Sequence, residues 1–111
     1  MDYEQMSRAL LEYNWDDGFA FPRTLLDNPL CDLSLALHIF DLADGYAYLS
    51  RTSAGLPRLP EWLHFIQPLY ADILAGKYPK TGAPYKAPYT RVQAYKLRKA
   101  GVPEVFLTDL P

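Results

Sequence analysis

The chain has one cysteine and two histidines in 111 residues. A lone Cys31 excludes a disulfide framework, and so few sulfur and imidazole donors exclude the usual structural zinc sites. No apolar run approaches the roughly 18 residues that a membrane span needs, and Met1-Asp2-Tyr3-Glu4 has no charged-then-apolar leader pattern. Net charge is only -2 and 50% of the residues are hydrophobic, which excludes wholesale disorder. These absences predict a soluble, cytoplasmic protein of a reducing compartment, folded as one domain over residues 1–111, with no metal and no cofactor.

What is present is unevenly charged. Residues 1–50 hold nine acids (Asp2, Glu4, Glu12, Asp16, Asp17, Asp27, Asp32, Asp41, Asp44) against Arg8 and Arg23, a net of -7. Residues 51–111 hold nine bases and four acids, and residues 77–99 have seven bases with no acid. Such asymmetry either creates opposed faces that steer partners or disappears when the halves pack together.

The hydrophobic pattern is helical. Met6, Ala9, Leu10 and Tyr13 make one stripe of a helix over 2–13, with Asp2 and Glu4 in its first turn and Asn14 as a left-handed stop. Asn14-Trp15-Asp16-Asp17-Gly18 is a turn in which Gly18 takes a positive φ. Pro22 opens a short helix to Leu26, which Asn28-Pro29 ends. Asp32 caps a helix from Leu33 to Ala43 that is apolar nearly all round, hence central, and Gly45 closes it. Tyr46–Leu49 reads as a further helical turn or a short strand. Pro60-Glu61 opens a long helix to Gly76, kinked at Pro68 or split near Gln67. Residues 77–89 form a Pro/Tyr-rich loop, Thr90 caps a basic helix to Ala100, and Val105, Phe106 and Leu107 return to the core. The architecture is therefore all-α: a single bundle of about four to six helices.

Chemistry-bearing patterns are sparse. Ser34, His38 and Asp41 share one helical face at nucleophile–base–acid spacing, yet no nucleophile elbow or oxyanion hole accompanies them, so a polar seam is favoured over catalysis. Asp16, Asp17, Asp41 and Asp44 do not continue as an EF-hand loop, and turn capping is the simpler role. Cys31 precedes a helix start, where a thiolate is stabilised, but a buried structural cysteine is favoured. The basic segment interleaves Tyr78, Tyr85, Tyr89 and Tyr95, an arrangement that suits single-stranded nucleic acid through Lys86, Arg91, Lys96 and Arg98. Against that stand the acidic overall charge and the lack of an RNA-binding motif.

The run Tyr13-Asn14-Trp15-Asp16-Asp17-Gly18-Phe19, then Pro22, Asn28-Pro29, Cys31-Asp32, Ala36-Leu37-His38-Ile39-Phe40 and Ala43-Asp44-Gly45-Tyr46, resembles the bacterial family named Domain of Unknown Function 4274. The likeness covers roughly residues 5–110 and is specific over 13–49. It implies no activity and no catalytic residue. Small acidic domains of this kind are similar to immunity proteins encoded beside contact-dependent or polymorphic toxins. That analogy makes the chain a non-enzymatic binder of a cognate toxin C-terminal domain, and the acidic first half with its aromatics gives Trp15, Asp16, Asp17, Asp41, Asp44, Tyr46 and Tyr48 as the expected contact residues. A nucleic-acid-associated module and an uncharacterised enzyme are the alternatives.

Overall fold

In the computed structural model, which describes residues 1–111, α1 (Tyr3–Glu12) begins with a reciprocal cap. The Asp2 carboxylate accepts the Gln5 N–H at 2.8 Å and the Gln5 side chain accepts the Asp2 N–H at 2.9 Å, so two otherwise orphaned donors are satisfied. Asp2 thus precedes the helix instead of lying in its first turn. Met6 and Leu10 are buried, as the stripe requires. Asn14 does not stop α1 in a left-handed conformation. Its backbone is extended, and its side chain accepts the Asp16 N–H at 3.0 Å, opening a 3-10 turn over Trp15–Asp17. Gly18 follows at φ +94, as expected, and its carbonyl receives the Tyr13 hydroxyl at 2.6 Å.

α2 (Ala20–Asp27) holds Pro22 in its third position, not its first. The helix tolerates it there because first-turn N–H groups have no intrahelical partner. α3 (Leu33–Leu42) is the centre of the molecule, with Leu33 to Leu37, Ile39 and Phe40 all buried. Its cap Asp32 is itself only 1% exposed. The carboxylate accepts the Leu35 N–H at 2.9 Å, the Tyr3 hydroxyl at 2.9 Å and the Thr81 hydroxyl. One buried side chain therefore joins α1, α3 and the loop after residue 76.

The α3 exit differs from expectation. Asp44, not Gly45, takes the left-handed conformation, at φ +62 and ψ +39. Aspartate is among the few non-glycine residues that adopt it readily. Gly45 is instead the first residue of α4 (Gly45–Leu49), a helical turn rather than a strand, and it is buried. A Cβ there would stand 2.5 Å from the Phe40 carbonyl oxygen and closer still to the Phe40 ring. Close approach, not a positive φ, is what requires glycine.

α5 (Leu59–Leu74) runs unbroken through Pro68, so the split near Gln67 does not occur. Pro68 and His64 both lie on the exposed side, where the carbonyl deprived of its usual donor is open to water. The buried face is Trp62, Phe65, Ile66, Leu69 and Ile73. Trp62 locks α5 to the end of α3 by donating its indole N–H to the Ala43 carbonyl at 2.7 Å. The Pro/Tyr-rich loop is pinned across the start of α3: the Leu33 N–H donates to Pro79 at 2.9 Å and the Ser34 hydroxyl to Pro84 at 2.6 Å. α6 (Arg91–Lys99), capped reciprocally by Thr90 and Gln93, buries only Leu97. A 3-10 turn over Glu104–Phe106 brings Phe106 and Leu107 back to the core.

Burial raises the phenol pKa of Tyr3, Tyr13, Tyr48, Tyr78, Tyr85 and Tyr89, to about 12 for Tyr3 and Tyr78. The buried Asp32 carboxylate adds to the shift at Tyr3. A phenol raised above its unfolded value of about 10 keeps its proton in the native state after the unfolded chain has lost it. Its stabilisation is complete below about pH 10 and declines as pH rises through about 12. The urea midpoint should therefore fall between about pH 10 and 12, with tyrosinate absorbance at 295 nm appearing abruptly on unfolding. Complete ionisation near pH 10 of a chain that stays folded would contradict these environments.

Candidate functional site: an acidic aromatic face

The 3-10 turn after α1 and the end of α3 meet at the surface. Trp15, Asp16, Phe19, Leu42, Asp44 and Trp62 line a hollow of about 260 Å³. Phe19 also walls a second hollow of about 480 Å³ with Asp17, Glu61 and His64. Phe19 is held by stacking on Phe65 at 4.9 Å, and Trp15 sets its edge against Tyr13 at 5.4 Å. Asp16, Asp17, Asp44 and Glu61 are exposed, and none belongs to an ion pair of the chain. Two arginines border the same hollows, Arg58 the first and Arg23 the second. Arg58 donates to the Asp16 backbone carbonyl at 3.1 Å, and Arg23 lies over the Phe65 ring at 5.2 Å.

Of the seven contact residues read from the sequence, Trp15, Asp16, Asp17 and Asp44 come together here. Asp41, Tyr46 and Tyr48 do not line either hollow. Asp41 is half-buried, and burial raises its carboxyl pKa, an effect that His38 opposes and Asp44 reinforces. Tyr46 packs on Tyr89 at 5.8 Å. Tyr48 is wedged against Trp62 at 6.0 Å and Tyr70 at 5.3 Å, which makes it chiefly a packing residue. Tyr46 and Tyr48 both line a different groove, between α4 and α6. Phe19, Leu42, Arg58 and Glu61 were not read as contact residues. Only Phe19, beside Gly18, has a local signal.

The other candidates resolve as follows. Ser34 donates to Pro84, and His38 packs edge-on to Tyr85 at 6.5 Å instead of bonding to Asp41 or a backbone carbonyl, so no hydrogen bond joins Ser34, His38 and Asp41. Cys31 is buried, and desolvation pushes its thiol up to about 12, with the Asp32 charge adding to it, the reverse of a reactive thiolate. No three His, Cys, Asp or Glu side chains gather as metal ligands. Among the basic residues, Lys86, Arg91 and Lys96 are exposed, whereas Arg98 is drawn to Glu104 at 2.7 and 3.1 Å. Each of the three ion pairs joins residues of the same half, Arg8–Glu4 in the first and Lys77–Asp72 and Arg98–Glu104 in the second, so the acidic and basic halves do not neutralise each other by direct pairing.

A family model described as Domain of unknown function (DUF4274) matches residues 3–74, more than half of the chain. The chain belongs to this family. No curated protein and no solved structure matches it. The DUF4274 match runs from the first residue of α1 to the last of α5 and so contains both hollows of the acidic face. It stops before the Pro/Tyr-rich loop and α6, short of the extent near residue 110 expected from the sequence. No helix is long and apolar enough to cross a membrane.

Proposed function

We propose that this DUF4274 chain is a non-enzymatic, cytoplasmic protein-binding module: an immunity protein that neutralises a cognate toxin C-terminal domain. The observation that carries the reading is the set of four exposed carboxylates without ion-pair partners, Asp16, Asp17, Asp44 and Glu61, around two hollows walled by Trp15 and Phe19. Complementary charge speeds encounter and rejects wrong partners, while aromatic anchors in desolvated pockets supply much of the affinity. A toxin with a cationic substrate cleft, such as a nuclease, is the partner this chemistry fits.

The test is co-purification with the product of the neighbouring gene, followed by binding kinetics. A complex is expected at low salt, and the association rate should drop about tenfold in Asp16→Lys/Asp17→Lys. Trp15→Ala should instead speed dissociation about tenfold. Asp44→Asn removes the third charge while keeping a residue that tolerates its left-handed backbone. No complex at low salt, with a neighbour unrelated to any toxin, would sink the reading. Binding of single-stranded RNA that is lost in Lys96→Gln and indifferent to Asp16→Lys would replace it with the nucleic-acid alternative.

A further inference from the structure

A groove of about 850 Å³ lies between α4 and α6, away from the acidic face. Its apolar lining includes Leu49 and Leu97, both buried, with half-buried Leu63 and Val102. Tyr48 and Tyr70 also line it and are fixed from behind, Tyr70 by stacking on Phe106 at 4.8 Å and Tyr48 by its edge contact with Trp62. The charged lining residues are Arg51 and Lys96; no carboxylate lines the groove, and neither cation belongs to an ion pair. Arg51 is also held at φ +58, a conformation costly for a non-glycine side chain.

An apolar lining that includes two cations without ion-pair partners leaves a charge for a ligand to answer. The volume falls in the range of small-molecule sites, roughly 300–1,000 Å³. Tyr46 also lines the groove, packed on Tyr89 at 5.8 Å, and Tyr70 is stacked on Phe106 at 4.8 Å, so neither ring stands free on both sides for a nucleobase to stack between them. We infer that this groove binds an amphipathic organic anion, a carboxylate or phosphate monoester carried on an alkyl or aryl body. The apolar part lies along Leu49, Leu63 and Leu97, and the anionic head pairs with Arg51 and Lys96. This site is independent of the toxin-binding reading and uses different residues.

The experiment is a methyl-NMR titration of the full chain with decanoate, decyl phosphate, decanol and inorganic phosphate below micellar concentrations. Decanoate or decyl phosphate should shift the Leu49, Leu63 and Leu97 methyls saturably, and the tighter of the two identifies the head group. Decanol and inorganic phosphate should bind at least tenfold more weakly. Lys96→Gln and Arg51→Asn, the latter chosen to suit a left-handed position, should each weaken the anion about tenfold, whereas Asp16→Lys should leave it unchanged. Equal binding of decanol and decanoate, indifference to both cation variants, or shifts confined to a decauridylate titration would overturn the assignment.

Discussion

Gly45→Ala should destabilise the chain by about 3 kcal/mol and lower its melting midpoint by roughly 10–20 °C. The added methyl would meet the Phe40 carbonyl oxygen at 2.5 Å, and a backbone atom cannot rotate away. The Phe40 ring, which it would also strike, has little freedom. That ring is 2% exposed and is packed against Phe106 at 5.0 Å, Tyr48 at 6.4 Å and Tyr70 at 6.5 Å. Interiors packed this densely transmit a misplaced methyl as strain. Asp44→Gly, one residue earlier, makes the paired control. It relaxes a left-handed backbone and should change stability by no more than about 1 kcal/mol. Urea unfolding of both variants separates the two effects. A Gly45→Ala protein within about 0.5 kcal/mol of wild type would mean that α3 and α4 do not approach this closely.

Asp32→Ala is the second large effect, again about 3 kcal/mol. Loss of a helix cap accounts for about 1 kcal/mol, and hydrogen bonds to a charged acceptor contribute about 1.5–3 kcal/mol in such sites. The variant leaves the Leu35 N–H, buried at the start of α3, without its acceptor, and it frees the Tyr3 and Thr81 hydroxyls. The consequence should also be spatial. Amide exchange and proteolysis should increase across residues 77–85, whose other hydrogen bonds to α3 are made by the Pro79 and Pro84 carbonyls. Asp32→Asn keeps the capping geometry and should lose about half as much stability. A stable Asp32→Ala protein with an unaltered loop would show that the carboxylate is not the junction described.

How much of this could be read beforehand follows the range of the forces involved. The stripe Met6–Leu10, the cap at Asp32, the apolar circumference of α3 and the Thr90 cap each depend on atoms within a few residues. All four appear where the sequence places them. At Pro68 the sequence left a kinked helix and a split one open, and the structure keeps α5 continuous. The missing donor matters less when the affected carbonyl lies on the wet side of α5, and that side is chosen by Trp62, Phe65 and Leu69 packing elsewhere. The acidic face was half legible. Trp15, Asp16 and Asp17 are adjacent in the chain, but Arg58 and Glu61 arrive from more than forty residues away.

By itself, the order of amino acids determined the all-α class, the main helices, the buried α3 and the unequal charge of the two halves. Periodicity, capping and net charge are local or additive properties. Tertiary structure alone decided that Gly45 is required by the Phe40 ring, that Tyr48 packs inward while Tyr46 is left partly exposed, and that Arg51 and Lys96 border one groove. Each of those outcomes depends on which distant atoms occupy the neighbouring space, and excluded volume between segments remote in sequence leaves no trace in local pattern.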